Sequence, residues 1–272
     1  MRETLKQSKF HRILFGEFHR NLKISDFDIG IFSTVTFLSL FGVVMIASVT
    51  IPLTDGSLSM TLNHIVKLIL AIFIGLLIFR VSLSTWKKID ISLIIFSFFL
   101  LTLVFFPLIG FEANGASRWI RILGFSFQPS ELMKFSLIIY ISSYCFRRMT
   151  EFKEKWLGFW KPVLVVISAI ALVLVEPDLG SSAVIFLISL TIMFIAGAPL
   201  KQMLIIFFMG LSVFISMILL VPWRMNRILS FVDPWSNYGE SGYQLSQALI
   251  AFSRGDLFGV GLGESLQKYH YL

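Results

Sequence analysis

Cysteine is almost absent from this chain: Cys145 stands alone among 272 residues, which excludes an internal disulfide. Histidine is nearly as scarce, and His11, His19, His64 and His270 share no ligand spacing with one another or with the cysteine, so no structural metal site is read from them. Charge is thin at 14% of residues, against about 25% in an ordinary soluble domain, and that shortage excludes such a domain. Nucleotide-binding loops are missing too. The glycines at 255, 259, 261 and 263 lack the Gly-Lys-Ser/Thr ending of a phosphate loop and do not follow a strand as GxGxxG does.

What the chain has instead is apolar length. Hydrophobic residues make up 56% of it, with 29 Phe, in runs long enough for the roughly 20 residues that cross a bilayer. The reading is an all-α polytopic helical membrane bundle with about seven transmembrane helices. Their expected bounds are Ile29 to Ile51, Leu62 to Leu83, Ile89 to Gly110, Ser130 to Phe146, Pro162 to Val175, Ser181 to Gly197 and Leu200 to Val221. The fifth is short and is expected to extend toward Trp160. Residues 1–28 form a basic N-terminal tail read as cytoplasmic, 29–221 the bundle, and 222–272 an extracytoplasmic amphipathic loop, incomplete at its C-terminal end, with short interfacial helices in RMNRILSFVDPW and GYQLSQALIAFSRG.

The net charge of +7 suggests nucleic acid only until the positive residues are placed. Fifteen of the 23 Lys and Arg fall in residues 1–28, 80–88, 147–161 and at 201, on one side of the alternating spans. The opposite loops before residue 222 hold only Arg118 and Arg121. The positive-inside rule therefore puts the N-terminus in the cytoplasm, and topology explains the basic pI without a nucleic-acid partner.

The polar residues that break the apolar pattern are not scattered. Lys67, Glu131, Lys134, Glu176 and Asp178 lie near the span ends that face outward, and the polar stretch from Glu112 to Lys134 adds Arg118 and Arg121. Pro129 and Ser130 fit a helix start, with Glu131 in its first turn and Lys134 one turn on, placed to pair. That pattern serves an entry cap with a snorkelling lysine as well as it serves a ligand site. Arg118 beside Trp119 offers a planar fork of donors to a phosphate, and equally fits an interfacial anchor. In EPDLGSS, Pro177 ends one helix and Asp178 caps the next. The carboxylates of Glu176 and Asp178 also leave acid–base or cation-binding chemistry open, so a divalent cation stays possible although no cofactor is identified.

GASRWI, FQPSELMKF, EPDLGSS, RILSFVDPW, GYQLSQALIAFSRG and GVGLGESLQKYHYL, in this order, resemble the SEDS family of bacterial wall-building membrane proteins, and its division branch more than its elongation branch. The resemblance implies a ten-span fold and a peptidoglycan glycosyltransferase that polymerises lipid II, releases undecaprenyl diphosphate, and works with a cognate class B transpeptidase and other divisome proteins. It implies that Arg118 and Lys134, with Lys67 behind them, stabilise the departing diphosphate, and that Glu131 orients Lys134. Gln128, Glu176 and Asp178 match the family pattern, whereas Ala47, Ser126 and His270 depart from it. The family's catalytic aspartate is expected beyond Leu272, so this stretch alone is expected to be inactive. A lipid II flippase and a non-catalytic divisome scaffold are the alternative readings.

The charge asymmetry yields a test of orientation. Cysteines placed at Asn114, Pro177 and Asn237 are expected to react with an impermeant thiol reagent in intact cells. Protection of all three overturns the orientation.

Overall fold

A computed structural model describes residues 28–53, 57–106, 109–113, 116–122, 125–236, 238, 241–261 and 264–268. The basic tail up to residue 27, Asn114, Asn237 and His270 lie outside the described residues. Helices dominate: α1 (Ile29–Leu53), α2 (Ser59–Arg80), α3 (Leu83–Leu103), α4 (Pro129–Arg147), α5 (Met149–Glu154), α6 (Trp156–Val175), α7 (Leu179–Ile195), α8 (Leu200–Leu219), α9 (Pro222–Val232) and α10 (Tyr243–Gly255). All seven expected spans are helical. Four of them, α1, α2, α6 and α8, are long and apolar enough to cross a membrane. With 17 residues, α7 is roughly 26 Å long.

Several helix ends differ from expectation for local reasons. Ser82 accepts the Thr85 backbone N–H and starts α3 six residues early, which puts Lys87 and Lys88 inside the helix. At its other end α3 stops at Leu103, because Gly110 begins a strand instead. The expected extension of the fifth span is met, since α6 starts at Trp156.

One element was not expected. Between α3 and α4 the chain forms a three-stranded antiparallel sheet of β1 (Gly110–Ala113), β2 (Ala116–Ile122) and β3 (Phe125–Phe127), in the order β1-β2-β3. Asn-Gly at 114–115 is a strong hairpin dipeptide, and it was legible in the sequence.

The chain divides into two compact units, Met1–Ile74 with Ser246–Leu272, and Gly75–Leu245. In the first, α1 meets α2 through a hydroxyl bond between Thr50 and Thr61 at 3.0 Å, while Ile29, Phe32, Phe37 and Phe73 present apolar surface outward. That surface is what a lipid-facing helix shows. The second unit holds the packed core, built from Leu101, Met133, Leu137, Ile141, Phe152, Phe159, Val163, Ile185 and Met193.

Close approach between elements decides one position there. A Cβ on Gly158 would lie 2.1 Å from the Glu151 carbonyl oxygen, because α5 folds back onto the first turn of α6, where the Tyr144 hydroxyl also donates to the Gly158 carbonyl at 2.8 Å. Nothing lies within 4 Å of a Cβ on Gly42. Gly158→Ala should therefore destabilise the protein by about 1–3 kcal/mol through overpacking, and Gly42→Ala should be neutral or mildly stabilising. Thermal unfolding of both variants in detergent checks the contrast.

Candidate functional site

The sheet aims an arginine. On β1 the consecutive residues Phe111 and Glu112 pair with Trp119 and Ser117, so Arg118 is an extra residue in β2 with no partner across the ladder. Such bulges redirect a side chain. Arg118 reaches the break between α6 and α7, where its Nε donates to the Glu176 carbonyl at 3.1 Å and its Nη2 to the Pro177 carbonyl at 2.6 Å. Arg121, the other cation of β2, lies over the Phe111 ring at 3.8 Å and braces the sheet.

A second link ties the same break to α4. Gln128 is the residue before the helix, yet it leaves the helix end uncapped and donates its amide Nε2 to Asp178 Oδ2 at 3.0 Å. Asp178 in turn caps α7, accepting from the Ser181 backbone N–H at 2.9 Å and the Ser181 hydroxyl at 2.7 Å. The structure thus brings Arg118, Gln128, Glu176 and Asp178 into one cluster. Both carboxylate oxygens of Asp178 are already engaged, and among the described residues no three His, Cys, Asp or Glu gather around a point that would hold a metal.

Lys134 and Glu131 form the expected pair on the first turns of α4, Nζ to Oε1 at 2.7 Å. The two ends differ in environment: the Lys134 side chain is 19% exposed and that of Glu131 57%. An exposed i,i+3 pair contributes only about 0.3–0.5 kcal/mol, so its consequence is orientation. The carboxylate holds an ammonium steady at a helix N-terminus, where the helix dipole and the lysine both favour an anion. Lys67 is an exposed residue of α2 and belongs to the other compact unit.

Glu176 is the anomaly of the cluster. It is 1% exposed, and neither carboxyl oxygen has a hydrogen-bond partner. Desolvation, then the nearby Asp178 carboxylate, push its pKa up to about 8 against the opposing pull of Arg118. The group is therefore mostly neutral at pH 7. A carboxylic acid held neutral costs the site no buried charge and leaves the Arg118 fork on the backbone carbonyls.

Two polar contacts between α3 and α4 were not expected. Asp90 on α3 is buried and lies 2.7 Å from Nη1 of Arg147 at the end of α4. Midway along the same helix pair, the Ser97 and Ser136 hydroxyls meet at 2.6 Å. Asp90 was detectable as a lone carboxylate inside an otherwise apolar run; the serines carry no signal distinguishable from packing.

The profile of the cell cycle protein family of FtsW, RodA and SpoVE matches residues 29–272. The "Probable peptidoglycan glycosyltransferase FtsW" of Aliivibrio salmonicida is 41% identical over 239 residues, covering 86% of this chain and 59% of its own length. The chain thus spans about six tenths of the length of that curated relative. Among solved structures, a mutant of the Thermus thermophilus rod shape determining protein RodA aligns with a TM-score of 0.59 and 25% identity over 72% of this chain and 60% of that one. A chain from a structure described as the coordination of polymerization and crosslinking by a peptidoglycan synthase complex aligns with a TM-score of 0.61 and 24% identity, covering 81% and 65% of the two chains.

Glu176 makes stability depend on pH with a definite sign. Its pKa in the fold is raised from 4.5 to about 8, so the folded state binds the proton more tightly, and stability falls as pH rises between those values and levels off above them. By pH 7 the loss relative to pH 4 is about 3 kcal/mol. Glu176→Gln should remove this slope and raise the unfolding temperature at pH 7 to 8. Unfolding scans of both proteins from pH 5 to 9 check it, and parallel curves would mean that Glu176 is not the titrating group.

Proposed function

The chain belongs to the FtsW, RodA and SpoVE family of cell cycle proteins, the SEDS group, and from that membership we propose that the whole protein is a peptidoglycan glycosyltransferase polymerising lipid II at the septum. The observation that carries the reading is the oriented, half-sheltered ammonium of Lys134 at the N-terminus of α4, next to the loop that Arg118 and Gln128 fasten down. The protein is a multi-pass membrane protein, and in this reading the sheet faces outward, where the lipid-linked sugar is presented.

The reaction joins the 4-hydroxyl of one sugar to the anomeric carbon of another. The carbon–oxygen bond to undecaprenyl diphosphate breaks as the new glycosidic bond forms, and the hydroxyl proton passes to a base. Charge builds on the departing diphosphate. Lys134 meets it directly, near the positive end of the α4 dipole, and Glu131 keeps Lys134 from swinging toward lipid. Arg118 has two of its donors on backbone carbonyls and offers the diphosphate its remaining N–H edge. Gln128, Glu176 and Asp178 support the loop. The base is a family aspartate outside residues 1–272. A class B transpeptidase and other divisome proteins are the proposed partners.

Lipid translocation would require unpaired charge deep in the span region. Among the described residues, the polar cluster of Arg118, Gln128, Lys134 and Asp178 gathers instead at one set of helix ends, the start of α4 and the α6–α7 break. That favours the polymerase.

In the full-length protein, Lys134→Ala should lower the rate of lipid II polymerisation by roughly 10²-fold or more, with membrane insertion unchanged. Lys134→Arg should restore only part of the rate, because a planar fork does not replace a compact ammonium. Gel analysis of glycan strands made from labelled lipid II is the measurement, and strands of normal rate and length from Lys134→Ala would reduce this residue to an anchor.

A further inference from the structure

Helices α3 and α4 form the most extensive helix–helix interface among the described residues. Its apolar part, Ile94 and Leu101 facing the cluster of Met133, Leu137 and Ile141, is built from side chains of similar size. Aliphatic side chains of similar size can repack after a slip of one helical turn, about 5.4 Å, whereas paired polar groups cannot. Something else has to choose the register.

Two polar contacts on this seam do so. Asp90, whose side chain is 2% exposed, lies 2.7 Å from Arg147, and the Arg147 Nη1 also donates to the Lys87 carbonyl at 3.3 Å. The Ser97 and Ser136 hydroxyls bond at 2.6 Å. The spacing of the two contacts is consistent with antiparallel helices. Asp90 to Ser97 is seven residues, roughly 10 Å, and Ser136 to Arg147 is eleven, roughly 16 Å, and the difference is about the reach of an arginine side chain. Any slip by a turn would strand a carboxylate and separate both hydroxyls at once. Lys134 lies two residues from Ser136, only about 3 Å along the axis. The hydroxyl contact is thus close to the ammonium, and the ion pair holds the far end of the same rod.

We propose that Asp90 and Arg147 are positioning residues for Lys134: with Ser97 and Ser136 they fix the rotation and axial register of α4 against α3, and so the place of the ammonium. Stability alone does not account for the pair, because a buried ion pair is often matched or exceeded in stability by apolar residues of similar volume, whereas setting register is the best-supported use of such groups. That the register serves glycosyl transfer rests on the function proposed above; the geometric part stands without it.

The test uses the full-length protein in nanodiscs, with Cys145→Ser and spin labels on Thr102→Cys and Ile138→Cys, which sit on α3 and α4 away from the pair. Asp90→Leu/Arg147→Met replaces the pair by apolar side chains. It is expected to keep its unfolding temperature, to broaden or shift the label distance distribution by up to one turn, about 5 Å, and to lower kcat at least tenfold with little change in KM. A distance distribution identical to the parent's in an equally stable variant overturns the proposal. If the double variant does not fold, Asp90→Asn/Arg147→Gln is measured by the same distances and rates and judged by the same two outcomes. Absence of polymerisation in the unmutated protein would count against the proposed activity and leave the distance result to decide the register.

Discussion

A helix break leaves carbonyl oxygens without intrahelical donors, and the organisation of this chain around residues 176–178 follows from that constraint. α6 ends at Val175 and α7 begins at Leu179. The carbonyls of Glu176 and Pro177 need donors, and Arg118 supplies both from a strand that carries an extra residue for the purpose. Asp178 then caps α7 and receives the Gln128 amide, which fixes the chain as it enters α4. The sheet, the helix break and the start of α4 are one connected polar assembly, and the Lys134 ammonium is one turn beyond it.

Electrostatic balance in this assembly is arranged by burial. Three acidic residues, Glu131, Glu176 and Asp178, surround it with two cations, Arg118 and Lys134. If all three acids were charged, the local field would repel a diphosphate. Glu176 is buried without partners and held largely protonated, so its charge is withdrawn, and Asp178 spends its oxygens on a helix end and an amide. The carboxylate in contact with a cation, Glu131, is the exposed one, whose field water screens most. The positive potential at the start of α4 is thereby preserved.

The helices were legible because their signal is long and one-sided: twenty apolar residues allow few other structures. The start of α4 at Pro129, the Glu131–Lys134 pair and the Asp178 cap were legible for a different reason, since each depends on residues within four positions of one another. The sheet was missed because its strands are three to seven residues long and lie in a stretch read for charge rather than for alternation. The destination of Arg118 could not be read at all. Nothing local to SRWIR says that its guanidinium will meet carbonyls more than fifty residues away. The same holds for Arg147, counted among loop cations by position, yet joined to a carboxylate far back in the chain.

The long separation of the Arg118 contacts bears on the order in which the protein is made. The carbonyls that Arg118 binds lie 58 and 59 residues downstream, and Gln128 waits 50 residues for Asp178. At about 5–20 residues per second, a ribosome needs roughly 3 to 12 seconds to synthesise that interval. During this time β2 is held by β1 and β3, through cross-strand pairs and the Arg121–Phe111 contact, and by α4, which follows it directly. The arginine therefore stays uncommitted until α6 and the following turn have been made, while the sheet rests on its own strand pairs and on α4.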